Sequence, residues 1–144
     1  DVRVEECSQL SGDAPYFLYQ DYIEKRHSNG DMYPASPEQF DTFIRSNTEG
    51  GQYYCFYIED KLIAVGVSDV LDGGLSAVYT FFDPSLEKRS LGNFVILWQI
   101  ERARSLELDH LYLGYWIKNC AKMEYKAIFR PLEMLLEGKW LLLK

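Results

Sequence analysis

The sequence is poor in the residues that several common chemistries need. Its 144 residues hold three cysteines, Cys7, Cys55 and Cys120, and no two of them form a CxxC pair. That excludes a zinc ribbon or a dithiol redox motif, and the odd, sparse count argues against a secreted disulfide framework. Long apolar stretches are lacking too: Phe94 to Trp98 falls far short of the ~20 residues that a membrane span needs, so no membrane partner is expected. The opening residues, Asp1-Val2-Arg3-Val4-Glu5-Glu6, have no apolar core of a signal peptide, and the missing initiator Met points to something removed upstream. Basic residues are the minority, 15 Lys and Arg against 22 Asp and Glu, for a formal charge of −7. An acidic chain carries the wrong overall field for a nucleic-acid binder. Any such partner must be held by a local basic patch or by a segment outside this chain.

Hydrophobic residues make up 47% of the chain, enough for a core, and no repeat or Pro/Ser-rich linker interrupts it. One soluble, cytoplasmic domain spanning 1–144 is expected. Residues 1–13 read as polar and irregular. From Pro15, apolar residues at Phe17, Leu18, Tyr22 and Ile23 predict a helix that ends in Lys25-Arg26-His27, with cations in its last turn. Ser36 caps a second helix with Pro37 at its first position and Gln39 as capping-box partner, and Phe40, Phe43 and Ile44 are expected to face inward. Tyr53 to Ile58, Leu62 to Val70 and Leu75 to Phe82 read as three antiparallel strands joined by the turns Glu59-Asp60-Lys61 and Asp72-Gly73-Gly74. Gly92 to Leu106 repeats Phe94, Leu97, Trp98, Ile100, Ala103 and Leu106 at helical spacing. His110 to Tyr115 is expected as a fourth strand, Lys118 to Tyr125 as a short helix, and a last strand lies between Ala127 and Leu136. The strand after the long helix should run parallel to the last strand of the meander, through a crossover. This α/β (α+β) order, a mixed central sheet with helices on both faces, is the layout of the acetyltransferase-like (GNAT) fold.

The most unusual stretch for chemistry runs from Leu111 to Glu133. Gly114 interrupts an aromatic strand, which marks a bulge or a close approach by backbone or ligand. Lys118, Lys122 and Lys126 are four apart, so a helix would align them as one cationic stripe, with Arg130 beyond. A charge run is ordinarily a solvated face. Interleaved aromatics, however, suit stacking plus phosphate contact with a single-stranded RNA end. Lys88-Arg89-Ser90-Leu91-Gly92 offers cations and one glycine at a helix start, a weak signal for a pyrophosphate beside simple capping by Ser90. Arg26 and His27 either compensate a helix dipole or capture a carboxylate. Asp69 lies in an apolar strand, where a carboxylate is costly unless it is paired or functional. Ser76 has no GxSxG elbow, so a serine hydrolase is unsupported. Cys120 and His110 read as packing and surface residues.

Several motifs in order carry a resemblance: Asp31-Met32-Tyr33-Pro34, Gly74-Leu75-Ser76-Ala77-Val78-Tyr79, Phe82-Asp83-Pro84, Ser90-Leu91-Gly92, Tyr112-Leu113-Gly114-Tyr115-Trp116-Ile117, and the run Lys122-Met123, Tyr125-Lys126, Phe129, Pro131, Glu133. From about Tyr16 to Trp140 the chain resembles the C-terminal domain of aminoacyl-tRNA–protein transferases, the bacterial leucine-transferring branch matching best. The resemblance implies a GNAT-like fold and two partners, an aminoacyl-tRNA and proteins that begin with Asp or Glu, marked in this way for N-degron proteolysis. It also implies an N-terminal, cysteine-bearing region associated with an iron–sulfur cluster, which nothing here matches. No cofactor and no metal are therefore expected in this domain. On this reading the acceptor's carboxylate is met by Arg26, His27, Lys126 and Arg130. An apolar slot for the transferred side chain is lined by Tyr79, Phe81 and Tyr112, with Ser76 beside it. The tRNA 3′ end lies against Tyr115, Trp116, Lys118 and Lys122. Asp69 is the candidate for orienting or deprotonating the amine, with Tyr115 as second catalytic candidate. Two alternatives stay open: a CoA-dependent N-acetyltransferase of the same fold, and a non-catalytic module that recognises acidic N-termini.

Overall fold

Pro15 in the first turn and Lys25 and Arg26 in the last bound the first helix, α1 (Ala14–Arg26), as their positional preferences dictate. The structure, a computed structural model, describes residues 1–46 and 50–143. They divide into two compact units, Asp1–Tyr112 and Leu113–Lys144.

In the first unit, Ser36 Oγ accepts the Gln39 backbone N–H at 3.1 Å and starts α2 (Pro37–Phe40). One π-helical turn, Asp41–Arg45, continues it. Then follow β2 (Gly51–Ile58), β3 (Lys61–Val70) and β4 (Gly74–Phe82), the expected antiparallel meander. A 3-10 segment, Pro84–Arg89, leads into α3 (Leu91–Ser105), and β5 (His110–Tyr112) pairs parallel with the start of β4. The irregular opening expected from the sequence is instead a strand, β1 (Val2–Cys7), antiparallel to β2 on the sheet's outer edge. Val2 and Val4 pack inward while Arg3 and Glu5 stay exposed, a period-2 pattern hidden by the density of charge. The sheet order is β1-β2-β3-β4-β5.

A cluster of buried side chains lies on each face. Tyr19, Ile23, Phe40, Ile44, Tyr53, Val65 and Phe81 pack α1 and α2 onto one face. Tyr54, Phe56, Ile63, Leu75, Leu91 and Val95 pack α3 onto the other. Each such side chain contributes about 1.5–3 kcal/mol by leaving water. Two inward faces differ from expectation. Phe43 is 45% exposed, because the wide π turn keeps Ile44 over Phe40 and swings Phe43 outward. On α3 the buried residues are Leu91, Val95, Ile96, Gln99 and Ala103, while Phe94 and Leu97, and Leu106 at its C-cap, are exposed. That helix is apolar around most of its girth, so periodicity did not single out the buried face.

The second unit holds a 3-10 segment, Ala121–Ile128, and an antiparallel hairpin of β6 (Leu132–Leu136) and β7 (Lys139–Leu143). The expected fourth strand ends at Tyr112 rather than Tyr115, and Gly114 follows at φ +86°. No helix among the described residues is long and apolar enough to cross a membrane.

Candidate functional site

The strand β4 carries Ser76, Tyr79 and Phe81, and regular alternation would put Ser76 on the opposite face from the other two. The pairing with β3 prevents this. Tyr79 stands opposite Val67 and Ala77 opposite Ser68, so Val78 is an extra residue, a β-bulge. Beyond it the faces are exchanged: Leu75 enters the α3 core, and Ser76 joins Tyr79 and Phe81 on the α1 face. There Ser76 pairs with Asp69 on β3 and with Tyr112 on β5. The bulge thus sets Asp69, Ser76 and Tyr112 in one row across three strands.

Asp69 is half-buried and lines a cavity of about 90 Å³ with Phe43, Gln52, Tyr53, Val67 and Val78 among its walls. Such a space is wide enough for an amino group. A carboxylate there can only accept hydrogen bonds, which suits an amine. Burial raises the neighbouring Tyr53 phenol above its ordinary value, with the Cys7 thiol and Asp69 adding to the rise against a lowering by Arg45. Tyr53 therefore stays protonated and donates to the Ile44 carbonyl oxygen. Tyr112 does not stand free beside Ser76. Its ring lies over Gly74, where a Cβ would come within 2.7 Å of it, and stacks on His110 at 5.8 Å.

At the end of α1, Arg26 sets its guanidinium 5.1 Å from the Phe82 ring centre, and His27 meets Tyr22 edge-on at 4.8 Å. Tyr22 in turn touches both Phe82 and Tyr79. Arg26 is exposed, and the cation–π contact leaves its donors available to a carboxylate. Burial, with Tyr22 and Tyr19 adding, pushes the Tyr79 phenol well up, so it is a neutral wall rather than a base. Phe81 is fully buried under Tyr19, Phe40 and Tyr79, and supports that wall from behind.

In the second unit the expected lysine stripe does not form. Lys118 precedes the 3-10 segment, and a threefold turn sets Lys122 and Lys126 on different sides. Lys118 and Lys122 are exposed, as are Tyr115, 89% accessible, and Trp116, 38%. Lys126 is half-buried and donates to the Tyr115 carbonyl oxygen at 2.8 Å, and desolvation pulls its ammonium below the ordinary lysine value. Arg130 donates to the carbonyl oxygens of Ala127 and Phe129. Both cations therefore brace their own backbone and keep further donors free by valence.

Sequence reasoning missed Phe43 and Val78. Phe43 meets the Tyr79 ring edge-on at 5.4 Å on the lip of the Asp69 cavity, and Val78 is the bulge itself. Neither the π turn nor the bulge carries a Gly or Pro marker that would have announced it. For metal or cluster chemistry the fit is poor. Among the described residues no three His, Cys, Asp or Glu side chains gather, and Cys7 and Cys55, 3.9 Å apart, are two thiols where a cluster needs about four.

The fold is similar to that of solved acetyltransferases: the ribosomal-protein-S18-alanine N-acetyltransferase of Escherichia coli (TM-score 0.60, 16% identity, 88% of this chain and 76% of that one) and a Bacillus subtilis acetyltransferase in complex with CoA (TM-score 0.58, 21%, 88% and 74%). In sequence, the chain is 50% identical over 143 residues to an aspartate/glutamate leucyltransferase of Stutzerimonas stutzeri and 54% identical over 143 residues to one of Pseudomonas entomophila. Each match covers 99% of this chain and 61% of the relative, so the chain spans less than two thirds of the length of these curated relatives. The family model described as arginine-tRNA-protein transferase, C terminus, matches residues 14–136, most of each unit. The chain belongs to that family of aminoacyl-tRNA–protein transferases, built on an acetyltransferase-like fold.

Proposed function

We propose that the protein containing this chain transfers leucine from leucyl-tRNA to the α-amine of proteins that begin with Asp or Glu. The observation that carries the reading is the match along 99% of the chain to relatives that bear the name aspartate/glutamate leucyltransferase.

The reaction is aminolysis of an activated ester. The acceptor nitrogen attacks the ester carbonyl, the 3′-oxygen of the tRNA leaves, and the amine proton passes to that oxygen. An α-amine with a pKa of about 7.7–8.0 is partly neutral near pH 7, so a strong base is not required. Holding amine and ester together supplies most of the acceleration, with effective molarities of ~10⁵ M or more. Asp69 accepts a hydrogen bond from the amine and fixes its direction in the small cavity that Asp69 lines. Arg26 and His27, at the end of α1, neutralise the acceptor's carboxylate. Tyr79 with Ser76 and Tyr112 borders the slot for the leucyl side chain. In the second unit, Tyr115 and Trp116 offer stacking faces, and Lys118 and Lys122 offer charge, to the tRNA 3′ end. The free donors of Lys126 and Arg130 are further candidates for a carboxylate or a phosphate.

The test supplies the longer protein with a mixture of tRNAs charged with radiolabelled leucine and arginine and an Asp-starting acceptor. Leucine transfer is expected, lost when the acceptor amine is acetylated. Arg26→Ala and Lys126→Ala should raise acceptor KM with little change in folding, and Asp69→Asn should lower kcat in a folded enzyme. Transfer of arginine instead, or acetyl transfer from acetyl-CoA alone, would replace the reading. Peptide binding without turnover in the longer protein would reduce it to a recognition module.

A further inference from the structure

Behind Asp69, on the opposite face of β3, lies a polar pair with no part in the proposed chemistry. Gln99 of α3 and Ser68 of β3 are both fully buried, and Gln99 Nε2 donates to Ser68 Oγ at 2.9 Å. The other amide atom, Gln99 Oε1, is buried without a partner. An apolar residue at this position would avoid that cost, since a buried acceptor left unpaired is unfavourable. Space for the amide is kept by Gly66, where a Cβ would stand 3.0 Å from Gln99 Nε2 and 3.1 Å from Val95 Cγ1. Ser68 adjoins Asp69 in the chain and pairs with Ala77 directly at the bulge, where the β3–β4 register shifts. A slip by one residue there would turn Ser76 away from Asp69 and Leu75 out of the core.

We infer that Gln99 is a positioning residue: its bond to Ser68 fixes the seat of α3 on β3, and because Leu75 of β4 packs in the same cluster as α3, that seat holds the β3–β4 register at the bulge and the face on which Asp69 and Ser76 meet. The inference rests on the role proposed above for Asp69 as far as activity is concerned, but its geometric half stands apart from that role. A hydrogen bond reaches one register only, whereas apolar packing of α3 on β3 tolerates neighbouring ones, so a lone buried polar pair can select a pairing that hydrophobic contacts leave open.

The test uses the longer protein with Gln99→Met, Ser68→Ala, the double variant, and Asp69→Asn as reference. Gln99→Met keeps the volume and removes the bond, and Ser68→Ala removes a single hydroxyl, so at least one variant should fold if the other does not. Folded Gln99→Met is expected to lose at least tenfold in kcat for leucyl transfer with the KM for tRNA unchanged. The double variant should be no worse than either single one, since one bond carries the effect. Nuclear Overhauser contacts between residues 69 and 76, and between 68 and 77, should weaken or multiply in these variants. If Asp69→Asn is crippled while Gln99→Met and Ser68→Ala stay within twofold of the parent, the positioning role is overturned and the Asp69 reading survives. If Asp69→Asn transfers normally, the Asp69 reading fails, and the cross-strand contacts alone decide: unchanged in both variants, they overturn the inference as well.

Discussion

The two units are held together by different means. In Asp1–Tyr112, aromatic and aliphatic side chains fill both faces of a five-stranded sheet, and every fully buried residue among those described lies here. In the second unit none of the described residues is fully buried, and Leu135, Leu136, Leu141 and Leu142 of its hairpin are all about half exposed. The first unit thus carries enough burial to define its geometry by packing. The second is shaped by the backbone bonds of its β6–β7 hairpin and 3-10 segment, with side-chain bonds to backbone such as Lys126 to Tyr115 and Arg130 to Ala127. Substitutions should therefore act through stability in the first unit and through local geometry in the second.

That contrast can be broken or sharpened at four positions. The largest effect should come from Phe81→Ala, which empties the space beneath Tyr19, Phe40 and Tyr79 and should cost about 3–5 kcal/mol in urea unfolding. Next is Gly74→Ala, whose new methyl meets both the Tyr112 ring and the His110 carbonyl oxygen at 2.7 Å; overpacking of that kind costs about 1–3 kcal/mol. The effect of acid is similar or smaller. Burial by itself would raise the Asp83 carboxyl, but bonds from Lys61 at 2.7 Å and from Ser85 outweigh it and hold the group below its ordinary value. A depressed folded pKa gives stability that is complete above the unfolded value near 3.8 and is lost as pH falls through the folded one. Unfolding free energy measured from pH 6 to pH 2 should drop over that window in the parent, and the part due to Asp83 should be absent in Asp83→Asn. The smallest effect belongs to the hairpin: Leu142→Ala, at a position 56% exposed, should change stability by no more than ~0.5 kcal/mol. A loss of several kcal/mol there would mean that the second unit has a core of its own, and the contrast would not hold.

How far the sequence was legible follows the same division. The cap at Ser36, the bounds of α1 and the three-strand meander could be read because each rests on local chemistry that repeats from protein to protein. The motifs led directly to the fold and the family. The buried stripe of α3 could not be read, because Phe94 and Leu97 made a competing face, and a polar Gln99 took a core position that its bond to Ser68 explains. The lysine stripe failed because spacing of four has meaning only on an α-helix, and the chain there winds as a 3-10 helix. At the candidate site the residue types were legible and their company was not. Asp69 and Ser76 share a row only through an extra residue at Val78, in a stretch whose sequence shows no turn or breaker residue.

The extra residue has a consequence for how this chain can vary. Loops tolerate added or missing residues because their backbone answers to no fixed parity. Val78 lies in mid-strand, yet its loss would leave Ala77 next to Tyr79 in plain alternation, with Ser76 still opposite Asp69 and Leu75 still in the α3 core. The strand thus holds one residue of slack: a residue can be lost at the bulge without exchanging the faces, whereas one added elsewhere in β4 exchanges them beyond the point of insertion.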